Sequence, residues 1–108
     1  MDTEEHSARE RAAALNDEFR KQNPMTYTVT PGILDNLDLR EVITRVREYD
    51  DFNEDNDPYG EHDFGSFTVS GVKIFWKIDY YDEALKGWCD PLSPDCHRVL
   101  TIMRADEY

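Results

Sequence analysis

The feature that most restricts this chain is the segment FTVSGVKIFWKIDYY, residues 67–81. Ser70-Gly71 separates two runs of alternating apolar character, which is the pattern of a two-residue β-hairpin. In the second run Val72, Ile74, Trp76, Ile78 and Tyr80 share one face, and Lys73, Phe75, Lys77, Asp79 and Tyr81 share the other. HRVLTIM, residues 97–103, supplies a further strand, reached through the proline-bearing loop GWCDPLSPDC. MTYTVT, residues 25–30, is β-branched and aromatic and reads as another strand, closed by a turn at Pro31-Gly32.

Two helices are expected. Over residues 7–22, Ser7 and Glu10 have capping-box spacing, Ala8, Ala12, Leu15 and Phe19 make a thin apolar stripe, and Asn23-Pro24 is the stop. Over residues 38–49, Asp38 stands at the cap, while Leu39, Val42, Ile43, Val46 and Tyr49 form one apolar face. The order is α-β-α-β-β-β: an α+β fold with a small antiparallel sheet of about four strands and two helices packed on one face. The 108 residues suit one domain, read as 25–108, with the helix of residues 1–24 loosely docked upon it. Monomer and homodimer are both compatible with this size.

Charge narrows the function classes. The chain has 24 acidic against 12 basic residues, a net charge of -12. Such a field disfavours direct contact with nucleic acid or an anionic membrane and attracts basic protein surfaces or cations. No stretch is apolar enough to span a bilayer, and the acidic start MDTEEHSARE is the reverse of a secretory signal, so a cytoplasmic location is expected. Cys89 and Cys96 are then expected to be reduced thiols, and their spacing matches no common zinc motif. Gly60, Gly65, Gly71 and Gly87 lack nucleotide-loop spacing, and no serine nucleophile elbow is present.

Three blocks, NDPYGEHDFG at 56–65, FWKIDYYD at 75–82 and RVLTIMRADEY at 98–108, together with TPGI at 30–33, resemble the bacterial domain-of-unknown-function family numbered three-seven-six-eight. The resemblance covers roughly residues 25–108 and departs from the family pattern at Cys89 and Cys96. It implies a fold outline and signature positions but no activity. Members are common on mobile bacterial elements, and the resemblance on that ground favours an accessory or anti-defence role.

The chemistry concentrates between Asp50 and Asp63, where Asp50, Asp51, Glu54, Asp55, Asp57, Glu61 and Asp63 occur without a single Lys or Arg. Three readings compete. Asp51, Asn53, Asp55 and Asp57 alternate like the start of a calcium loop, although Asn56 and His62 stand where that motif needs Gly and Glu. Glu61, His62 and Asp63 abut a strand and, with Lys77 and Asp79, suit a small metal-dependent hydrolase or phosphodiesterase that would take a divalent cation. Side chains alternate along a strand, however, which works against convergence of three neighbours. The third reading, preferred here, is a non-enzymatic protein without a cofactor. It presents Asp50, Asp51, Glu54, Asp55, Asp57, Glu61 and Asp63, anchored by Phe52 and Tyr59, to a basic and nucleic-acid-handling protein. That is an inhibitor of the anti-restriction or anti-CRISPR kind, in which carboxylates imitate phosphates.

Overall fold

The computed structural model describes residues 3–22 and 24–108. Helix α1 spans Thr3–Arg20, strand β1 Thr28–Val29, helix α2 Pro31–Asn36 and helix α3 Leu39–Arg47; strands β2 (Phe64–Val69), β3 (Val72–Tyr81) and β4 (His97–Arg104) follow. The sheet runs β1-β4-β3-β2, so the last strand lies inside it. β2, β3 and β4 are antiparallel, whereas β1 joins β4 in parallel, Thr28 facing Thr101. The fold is therefore α+β with four strands, and the sheet is mixed at one edge.

The hairpin forms as the sequence requires. Val69 pairs with Val72, and the two connecting residues carry positive φ, 52° at Ser70 and 79° at Gly71, the handedness that matches strand twist. Ile74, Trp76, Ile78 and Tyr80 turn their faces to the helices and, with Leu100 and Ile102 of β4, pack against Ile33, Val42 and Val46. Asp38 caps α3 by accepting from the Arg40 amide at 3.0 Å. The other face of the sheet carries Phe75, Lys77, Asp79 and Tyr81 and belongs to no part of this core.

Three local expectations are corrected. The helix does not start at Ser7: it begins at Thr3, and the Ser7 hydroxyl accepts from Arg11 one turn on. The strand expected over 25–30 shrinks to two residues, because Pro24–Thr26 winds into a 3-10 turn. Pro31-Gly32 opens α2 instead of making a turn, with Pro31 in the first helical turn, where its missing N–H costs nothing. The stop expected at Asn23 lies outside the described residues.

Helix α1 is held by polar as well as apolar groups. Ala12, Ala13, Asn16 and Arg20 are all buried, while Leu15 of the expected apolar stripe is largely exposed. Among the described residues no helix is long and apolar enough to cross a membrane.

Candidate functional site

The acidic loop divides into an outer turn and an inner arm. In the turn the Asn53 side-chain oxygen accepts from the amides of Asp55 and Asn56 at 2.9 and 3.1 Å. The Asn56 side chain answers by accepting from the Asn53 amide at 2.9 Å and donating to the Asp51 carbonyl at 2.7 Å. These local bonds fix the backbone and leave Asp50, Asp51, Glu54 and Asp55 exposed. Tyr59, 65% exposed, follows on the same loop, with the Arg9 guanidinium 5.4 Å from its ring centre.

The inner arm turns beneath α1. Asp57 is 8% exposed, and its carboxylate accepts from the His62 amide at 3.2 Å. Phe52 also points inward: it stacks on the His62 ring at 3.8 Å, nearly parallel to it, and meets Tyr49 and Trp76 edge-on. Neither Phe52 nor Asp57 belongs to an outward face. Phe52 is drawn in by the aromatic core and Asp57 by the amide it satisfies.

His62 sits at φ 57°, in the left-handed region, and its Nδ1 lies 3.0 Å from both oxygens of Asp17. Its Nε2 is 3.8 Å from Asp57. Arg20 occupies the space between α1 and α3, where it donates to the Val46 carbonyl at 2.7 Å, the Arg47 carbonyl at 3.2 Å and the Asp17 carboxylate at 3.0 Å. These are carbonyls from the end of α3, where the helix dipole favours a cation. The same guanidinium lies 5.1 and 5.5 Å from the ring centres of Trp76 and Phe52.

A second chain of contacts starts at Arg98, whose Nε donates to the Asn16 side-chain oxygen at 2.6 Å. Asn16 then donates to the Tyr80 hydroxyl at 2.7 Å and the Glu61 carbonyl at 2.9 Å, and Tyr80 donates to Asp63 at 3.2 Å. Burial pushes the Tyr80 hydroxyl far above its ordinary pKa, with the Asp63 charge adding to it. Burial likewise raises Asp63, against the Tyr80 hydrogen bond, and raises Glu61, with the Asp63 charge adding. A cleft of about 340 Å³ opens between α1 and the loop, lined by Arg9, Glu10, Asp57, Tyr59 and His62 among others.

Of the residues singled out as a hydrolytic set, the Glu61 carbonyl and the His62 ring meet Asn16 and Asp17 of α1, while Asp63 bonds Tyr80 and lines a separate cleft with Asp79. Lys77 and Asp79 form their own ion pair at 2.9 Å on the far face of the sheet. The alternating oxygens Asp51, Asn53, Asp55 and Asp57 do not converge either, since Asn53 serves backbone amides and Asp57 faces inward. Among the described residues no three His, Cys, Asp or Glu side chains are grouped to hold a metal ion. Cys89 and Cys96 are free thiols, and burial raises the Cys96 pKa. Asn16, Asp17 and Arg20 were not anticipated from the sequence. The signal was the four-residue spacing Ala12-Asn16-Arg20, which places two polar residues on the stripe of a buried alanine.

A four-stranded sheet with helices on one face and a bipartite acidic loop at their junction defines a small two-layer α+β domain. The family model described as Protein of unknown function (DUF3768) matches residues 25–107, and the chain belongs to that family. No curated protein and no solved structure matches the chain. The matched segment contains Phe52, Asp57, His62 and Arg98, while their α1 partners Asn16, Asp17 and Arg20 lie before it.

Proposed function

We propose that this protein is a cytoplasmic, non-enzymatic binding protein that engages a basic, nucleic-acid-handling protein through the outer turn of its acidic loop. One observation carries the reading: Asp50, Asp51, Glu54 and Asp55 are all exposed on a backbone that the Asn53 and Asn56 side chains tie down. A carboxylate array on a pinned backbone meets arginine and lysine at a lowered ordering cost, which is what a phosphate-imitating inhibitor needs. Tyr59 is the aromatic anchor beside it. In this reading Asp57, Glu61 and Asp63 support the loop and do not contact the partner.

The test compares the wild-type chain with Asp51→Asn/Glu54→Gln/Asp55→Asn, immobilised and exposed to a panel of purified restriction endonucleases and CRISPR effector complexes. Salt-sensitive capture by the wild type, lost in the triple variant at unchanged melting temperature, is expected. Capture that survives the triple substitution, or no capture across the panel, overturns the reading.

The Asp17–His62 contact favours a second reading, a small hydrolase that takes a divalent cation. A carboxylate on one imidazole nitrogen orients the ring for use as a ligand or general base. A metal at about one hundred times its dissociation constant would add roughly 2.7 kcal/mol to stability. Thermal unfolding titrated with calcium, magnesium, manganese and zinc reads this directly, and no response to any of the four removes the second reading.

A further inference from the structure

Among the described residues α1, α2 and α3 pack on one face of the sheet, and Tyr108 packs on the other, edge-on against Phe64 and Phe75. On that second face β3 presents Phe75, Lys77, Asp79 and Tyr81 at alternate positions, in the order aromatic, cation, anion, aromatic. This order is self-complementary about Ile78. A two-fold axis that lies against this face and crosses β3 at the level of Ile78 sets Lys77 of one copy on Asp79 of the other, and Phe75 on Tyr81. The same axis keeps β4 over β4. Thr101, beside Lys77, then meets Val99, beside Asp79, so no like charges oppose. Such reciprocity is the requirement of an isologous contact.

We infer that the open sheet face is the interface of a homodimer, with a second copy of this chain as its occupant. Two copies of a chain of net charge -12 repel over most of their surface, so a self-contact needs a face that is not acidic. Two observations make this face the one that can meet its own copy. The alternating positions of β2, β3 and β4 on this face carry two lysines, Lys73 and Lys77, against one acid, Asp79. The Lys77–Asp79 pair, 2.9 Å apart within one copy and only about one third exposed, exchanges partners across the axis and keeps both charges paired.

Apolar material stands at both ends of the pattern. The antiparallel bridge Tyr81–Trp88 sets the indole, 74% exposed, on the Tyr81 side, and Tyr108, 76% exposed, packs edge-on against Phe64 and Phe75 at the other end. The two-fold axis brings Trp88 of each copy to the Phe75–Tyr108 end of its partner. Aromatic anchors around a paired charge are the composition of an interface centre.

Charge exchange makes the test specific. The chain is run by sedimentation velocity as wild type, Lys77→Asp, Asp79→Lys, the double exchange Lys77→Asp/Asp79→Lys, and an equimolar mixture of the two single variants. The wild type is expected to sediment as a dimer. Each single reversal opposes like charges and weakens association by at least roughly tenfold. The double exchange restores the dimer, and the mixture forms a heterodimer. Circular dichroism confirms that each variant is folded. A monomeric wild type, a dimer indifferent to the single reversals, or a folded double exchange that stays monomeric each overturns the inference.

Discussion

Gly65 stands opposite Trp76 in the β2–β3 register, and a methyl group built on it would lie 2.4 Å from the indole Nε1. It would also come within 2.7 Å of the Tyr49 ring, so the glycine provides the volume that two rigid aromatic rings share. Gly65→Ala is expected to destabilise the fold by about 1–3 kcal/mol, the range for an overpacked core. Urea unfolding measures it, and an unchanged midpoint would mean that the rings are free to move.

Arg20 ties α1 to α3. Arg20→Met keeps the stem but removes the donors to the Val46 and Arg47 carbonyls and to Asp17. The expected loss is about 2–4 kcal/mol, because buried acceptors are left without partners. Hydrogen exchange should show amides of α1 and of the end of α3 losing protection together, and exchange confined to α1 would contradict the coupling.

Asp63 makes stability depend on pH. Its carboxyl titrates above the ordinary 3.8 in the folded protein, chiefly through burial. The folded state therefore holds the proton more tightly than the unfolded chain. Its contribution is fully present below the ordinary value and is lost as pH rises through the raised folded value. Asp63→Asn removes that loss and is expected to melt higher than the wild type at neutral pH, with the gap closing in acid. A gap independent of pH would assign the effect to packing.

Glu107 has the opposite sign. Its carboxylate accepts from the Arg104 amide at 2.8 Å, the Thr30 hydroxyl at 2.8 Å and the Gly32 amide at 3.2 Å, and these bonds hold its pKa below the ordinary 4.5. Its contribution is present above the ordinary value and is lost as pH falls through the lowered one. Glu107→Gln should melt below the wild type at neutral pH and match it in strong acid, as read by thermal scans across the acid range.

Much of this fold is legible in the residues. The β2–β3 hairpin, β4 and α3 follow from period-two alternation, a two-residue turn and an Asp cap, all of which act within a few residues. Helix α2 is too short to show a period, and Pro31 serves a helix start as readily as a turn. The orientation of the acidic loop was not legible at all. Asp55 and Asp57 look alike in sequence, yet one is exposed and the other buried, because the difference is made by His62 and by a helix far away in the chain. The polar side of α1 was hidden for the same reason, since Asn16 and Arg20 find partners only once Tyr80, Arg98 and Val46 are in place.

The position of β4 between β1 and β3 affects how the sheet closes. The hairpin and the three helices all precede β4 in the chain, yet β4 fills the place between β1 and β3. Without β4, β1 has no strand partner and β3 has one unpaired edge, the condition that invites pairing with another chain. Closure of the sheet thus waits on the strand that comes last among the four in the chain, and a chain cut before residue 97 lacks the strand that joins β1 to β3.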